Sequence, residues 1–254
     1  MVIGAATMAS VTAYCGSPPV PGTLAGRFNT DPVLIGALLL VACAHIGFRR
    51  RTKQDVAASV AGWGVAAAAF LSPLCALSVS LFSARIGQHM ILLLIAAPLI
   101  ASALPRWRYG GTSVSLWSAT AAFFLALWFW HMPAPYEATF GSGAIYWAMH
   151  LTLFGTGIWL WSELLVQRRQ NIGAVLMAGT VTSVQMGLLG AIITLASWPM
   201  YRPHFATTEA WGMTPLADQQ LGGILMWVPG CLIFLWAAVR SLGLLWATLD
   251  EAHA

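Results

Sequence analysis

Seven apolar stretches, each near the length of a membrane-crossing helix, constrain this chain more than any motif in it. They run over roughly residues 32–48, 56–79, 87–104, 113–131, 144–166, 172–197 and 221–240. A helix needs about 20 predominantly apolar residues to cross the hydrocarbon core of a bilayer. Of the 254 residues 59% are hydrophobic and 8% charged, whereas soluble domains carry about 25% charged residues. So few charges cannot cover a soluble surface. The expected fold is an all-α integral membrane protein, a single bundle of seven transmembrane helices. Residues 1–30 form an external tail, 31–245 the transmembrane domain and 246–254 a cytoplasmic C-terminal tail.

Charge sets the orientation. With the N-terminus outside, Arg49, Arg50, Arg51, Lys53, Arg106, Arg108, Arg168, Arg169 and Arg240 fall inside, and Arg27, Arg85 and Arg202 outside. Cytoplasmic loops carry the excess of Lys and Arg, so this arrangement is preferred over its inverse and the C-terminus is cytoplasmic. The basic loops then serve topology and lipid headgroup contact, and no nucleic-acid partner is expected. Trp residues at the predicted ends (Trp107, Trp128, Trp130, Trp147, Trp161, Trp198, Trp211) act as interfacial anchors.

The four cysteines show no close pair, which argues against zinc or iron–sulfur ligation. Cys43, Cys75 and Cys231 read as buried small hydrophobes. Cys15 lies in the tail, where Thr12-Ala13-Tyr14 is a poor lipidation signal. No basic region precedes the first apolar stretch, so a surface-lying tail is expected rather than a cleaved signal.

Three histidines adjoin a methionine: His89-Met90, His131-Met132 and Met149-His150. In the threading above His89 opens the third span, His131 closes the fourth and His150 lies two turns into the fifth, all towards the outside. Imidazole suits copper, zinc and haem iron, while thioether sulfur suits soft Cu(I). His89, His131, His150, Met90, Met132 and Met149 are therefore candidate metal ligands. Adjacent helical residues point about 100° apart, so both members of one pair do not readily bind one ion. Asp218, Glu137 and Gln88 are candidates to hold the imidazoles from behind, because a ligating His donates its other N–H to an acceptor. The alternatives are an N-cap for Asp218 and a solvated loop charge for Glu137. His204 sits in the long outer loop near Met200, at the same face, whereas His45 ends the first span on the cytoplasmic side, apart from this group.

Several blocks resemble one family. They are Leu81-Phe82-Ser83-Ala84 through Gln88-His89-Met90 with Ala97-Pro98; Trp130-His131-Met132-Pro133 with Tyr136; His150-Leu151-Thr152-Leu153-Phe154; and Pro215 to Gly223 through Met226-Trp227-Val228-Pro229-Gly230. In order and spacing they are similar to the polytopic CtaG-type cytochrome c oxidase assembly factors, from about Ala61 to Val239. The resemblance implies a multi-pass protein of the bacterial inner membrane that helps a haem–copper oxidase mature by supplying copper. Oxidase subunits, other copper chaperones and membrane lipid would be its partners. The family pattern has a His-Met pair where this chain has Arg85 and Ile86, and a His where it has Tyr146.

The alternatives are an integral haem protein or accessory respiratory subunit with His131 and His150 as axial ligands, and a copper transporter. Transport calls for polar ligands through the bilayer centre, and the mid-span residues are apolar. No span contains a lysine, which excludes a retinal Schiff base. No nucleophile–base pair or phosphate loop occurs, so no catalysis is expected.

Overall fold

The structure, a computed structural model, describes residues 13–52, 56–104, 113–167 and 172–253. Lys53, Arg106, Trp107, Arg108, Arg168 and Arg169, on which much of the charge asymmetry rests, lie outside the described residues. Among the described residues every regular element is helical. Helix α1 spans Pro32–Arg51, α2 Ala57–Leu71, α3 Pro73–Ser80, α4 Phe82–Ile91, α5 Ala97–Ser102, α6 Ser113–His131, α7 Pro133–Gly141, α8 Gly143–Gln167, α9 Ile172–Leu195 and α10 Pro215–His253. Residues 246–253, expected as a tail, continue α10.

By length and composition four segments could cross a membrane: Pro32–Arg51, Phe82–Ser102, Val114–His131 and Ile172–Leu195. The pair α2 and α3, bent by 50°, would make a fifth. Helix α8 has the length, with 25 residues, but its Trp, Tyr and His side chains lower its hydropathy.

Local chemistry explains the breaks. Pro73 follows Ser72, whose hydroxyl accepts from the Leu74 amide and starts α3 anew. Between α4 and α5 the chain widens into one π-turn, Leu92–Ala96, in which the Ala97 amide reaches back to the Leu92 carbonyl. In that pattern the Leu93 carbonyl would await the amide of Pro98, which has none. The indole of Trp161 donates to it instead, at 2.8 Å. The stretch 133–143, expected as a loop, is mostly helix α7, begun by Pro133 at a position where a missing amide costs nothing.

Helices α9 and α10 pack backbone to backbone. A Cβ on Gly223 would stand 2.7 Å from the Gly190 carbonyl and 2.8 Å from the Thr194 amide. On the other face of α10 a Cβ on Gly222 would meet the Phe82 ring at 2.5 Å. One turn earlier, Asp218 accepts hydrogen bonds from the Phe82 amide (2.6 Å), the Ser83 amide (3.1 Å) and the Ser83 hydroxyl. It caps α4 across space, while Thr214 caps its own helix through the Ala217 amide.

The tail is held by a covalent bond. Cys15 and Cys75 form a disulfide with Cα atoms 5.5 Å apart, correcting the reading of Cys75 as an inert core residue. Cys43, also expected to be buried, is exposed, and Cys231 is half-buried. Tyr14 stacks on Tyr146 at 4.8 Å and donates to the Asp31 carboxylate. Burial, reinforced by Asp31, pushes the Tyr14 hydroxyl up to about 12. Trp211 and Ser80 both donate to the Pro19 carbonyl, tying tail, α3 and the loop between α9 and α10 together. From that loop the Met200 amide donates to Gln219 of α10 at 2.7 Å, and Gly212 takes φ +72°, a conformation that favours glycine.

Two outcomes follow. Gly223→Val lowers stability by about 1–3 kcal/mol through overpacking. Gly64→Ala, where a Cβ meets nothing within 4 Å, leaves it unchanged or raises it by up to about 1 kcal/mol. Thermal unfolding in micelles checks the pair, and equal shifts would contradict the packing. His204 is buried in the loop between α9 and α10, and burial, then the Arg85 charge, lowers its imidazole to about 3. The unfolded chain takes up that proton near pH 6.5 and the folded chain near 3. Stability therefore falls as pH drops from about 6.5 towards 3, at up to about 1.4 kcal/mol per pH unit for this group. His204→Gln should flatten that slope relative to wild type.

Candidate functional site

His89 lies two turns into α4, His150 two turns into α8, and His131 is the last residue of α6. The structure brings the three rings together: His89 is 5.7 Å from His131 and 5.2 Å from His150, centroid to centroid. All three are buried, between 1% and 3% exposed. His131 can end its helix and still reach the others because α7 runs on beyond it and the Tyr201 hydroxyl holds the His131 carbonyl at 2.8 Å.

Backbone geometry fixes two of the tautomers. The Nδ1–H of His131 donates to the Leu127 carbonyl at 2.6 Å, and that of His150 to the Tyr146 carbonyl at 3.1 Å. Each partner lies four residues earlier on the same helix, so each ring is turned back along its own axis. A neutral imidazole that donates through Nδ1 presents a lone pair at Nε2. The Nε2 atoms of His131 and His150, and both nitrogens of His89, are buried without a hydrogen-bond partner. Buried polar atoms are rarely left in this state.

The rings meet edge to face, at 83° and 71°. Among the described residues no group of three His, Cys, Asp or Glu side chains stands arranged to hold a metal ion. The donor chemistry nonetheless fits a soft ion: neutral imidazoles with free lone pairs, in an apolar wall. Met90 and Met149 are buried in the main core beside His89 and His150. Met132 is half exposed and lies outside the buried group.

The residues expected to support the imidazoles have other partners. Asp218 caps α4. Gln88 donates to the Ala69 carbonyl at 2.8 Å, and Glu137 is exposed on α7. The acceptors that orient the imidazoles are backbone carbonyls, which no side-chain pattern could reveal. His45 stands apart: it accepts from the Trp63 indole at 3.1 Å and donates to the Ala103 carbonyl at 2.9 Å. His204 shares a 2.7 Å hydrogen bond with the Tyr136 hydroxyl.

Arg85 was placed in an outer loop by its position between apolar stretches. It is instead fully buried on α4, one turn before His89. It pairs with neither Glu137 nor Asp218. Its guanidinium lies 4.1 Å from the Phe140 ring centroid, 5.2 Å from that of Tyr136 and 5.7 Å from that of Tyr146. Tyr146 also leans on His150 at 4.3 Å, and its hydroxyl is 3.4 Å from the Cys15 sulfur. The Phe70 ring closes another side of His150 at 5.2 Å. A cleft of about 490 Å³, lined by residues of α1, α2 and α8 such as Leu38, Trp63, Phe70 and Phe154, reaches His150.

The profile of the family described as cytochrome c oxidase caa3 assembly factor (Caa3_CtaG) matches residues 37–247. Comparison with curated proteins and with solved structures returned no match. The profile match is wider than the blocks between Ala61 and Val239, and takes in much of α1 and most of α10. The chain belongs to the cytochrome c oxidase caa3 assembly factor family.

Proposed function

We propose that the protein is a seven-span, non-catalytic assembly factor of the bacterial inner membrane that binds Cu(I) through His89, His131 and His150. It would hold the ion near the periplasmic face and aid its insertion into a haem–copper oxidase. The observation that carries this reading is the group of three buried imidazoles from three helices, with four ring nitrogens unpartnered. Imidazole binds Cu(I) readily, and Met90 and Met149 add soft sulfur nearby.

The surroundings favour a singly charged ion. Arg85 is one turn from His89, and Coulomb repulsion doubles for a divalent ion at the same distance. Burial keeps water from the ion, and the cleft beside His150 supplies an apolar approach. The disulfide supports an external N-terminus, since such bonds persist in oxidising compartments. Tyr146 touches both that bond and His150, which supports a site on the same side for the imidazoles. The haem alternative has less support, because His89 packs against both other rings where a porphyrin would need a flat slot.

His131→Ala or His150→Ala should leave the protein inserted, since apolar spans hold the bundle together. Each should lower Cu(I) affinity of the purified protein and the copper content and activity of the partner oxidase. Excess copper should partly restore both, by mass action. Full oxidase activity in both variants would contradict the copper role, and loss of oxidase haem with copper intact would point to haem handling. A reporter fused after Ala254 should be active only in the cytoplasm.

A further inference from the structure

Arg85 carries a full positive charge into the protein interior, where an unpaired charge is strongly disfavoured. Among the described residues no carboxylate answers it. Asp218 is committed to the Phe82 and Ser83 amides, and Glu137 is exposed. The aromatic rings around the guanidinium stabilise it in part, as rings do for a cation on their faces.

The hydrogen bonds it does make are instructive. Nη1 donates to the Thr139 hydroxyl at 2.7 Å, and that hydroxyl donates to the Tyr136 carbonyl. The Nε and Nη2 atoms are buried with no partner. These two belong to one edge of the guanidinium and direct their N–H bonds in parallel. That edge is the one with which arginine grips a carboxylate through two hydrogen bonds. Thr139 fixes the opposite corner, so the free edge is held in place.

We propose that Arg85 binds a small carboxylate, of formate or acetate size, through Nε and Nη2 inside the helical bundle. Full burial of the guanidinium excludes a bulky anion. Residues four apart share a helix face, so the carboxylate lies on the side of α4 that carries His89, whose nitrogens are both free. The inference stands on Arg85 alone. If the Cu(I) reading holds, the bound anion also neutralises the charge that Arg85 sets against the ion.

The test uses the full chain in lipid nanodiscs. Sodium formate should raise the unfolding temperature more than sodium chloride at equal ionic strength, because a ligand of the folded state stabilises it. Infrared spectra with ¹³C-formate should show a bound carboxylate with the frequency splitting of a two-point contact. Arg85→Gln should abolish both effects, and Arg85→Lys, which keeps the charge but loses the edge, should weaken binding roughly tenfold. Benzoate should have no effect. Equal shifts with formate and chloride, or no bound ¹³C band in the wild-type protein, would overturn the proposal without needing any variant to fold. Copper binding without formate binding would overturn this inference alone, and formate binding without copper binding would overturn only the proposed function.

Discussion

Asp218 belongs to α10, yet its carboxylate takes the first two backbone amides of α4 and the Ser83 hydroxyl. The first amides of any helix lack partners within it, and in an apolar interior each would be costly. A carboxylate there also opposes the positive end of the helix dipole. Beside it on α10, Gln219 holds the Met200 amide, and one turn on Gly223 lets α9 approach. The start of α4, the end of α9 and the loop between α9 and α10 are thus fixed by the first two turns or so of a helix that carries none of the three clustered imidazoles. The depth of Arg85 and His89 depends on it, since both lie on α4 a fixed number of residues below the cap.

A bundle in lipid must satisfy its polar groups internally, and most of this one does. The Trp161 indole occupies the carbonyl freed by Pro98, His45 is bonded at both nitrogens, and Trp130 donates to Thr152. Just over half of the exceptions gather in one place. Seven of the thirteen unpartnered buried side-chain atoms among the described residues belong to Arg85, Gln88, His89, His131 and His150. An interior that pairs His45, Trp130 and Trp161 leaves these open, which is the pattern expected where a ligand completes the set.

Much of this was legible in the sequence, because membrane helices announce themselves by length and composition. The apolar stretches fall on the observed helices, and the three histidines at similar depth on sequential helices meet. The reading went astray where tertiary contacts override local pattern. Arg85 interrupts apolar residues and so read as a loop, although an aromatic cage and Thr139 hold it inside a helix. Pro133 to Gly143 read as a loop because prolines and glycines punctuate it, although proline is tolerated in a first helical turn. Asp218 read as a cap or a support for imidazole; it is a cap, but of a helix more than 130 residues away in the chain. The disulfide joins cysteines 60 residues apart with no spacing signal, so only the fold reveals it.

The two departures from the family pattern, Arg85 and Tyr146, occupy one neighbourhood, within 5.7 Å of each other. Tyr146 stacks between Tyr14 and His150 and touches both cysteine sulfurs, so it links the tail to the imidazole group. Arg85 adds a positive charge one turn from His89, which under the proposed copper reading would repel a divalent ion more strongly than a monovalent one. With an anion on its free edge Arg85 would present a neutral pair to the imidazoles, and without one a full positive charge. The electrostatics of the wall around the imidazoles are therefore set by a residue a single turn away on α4.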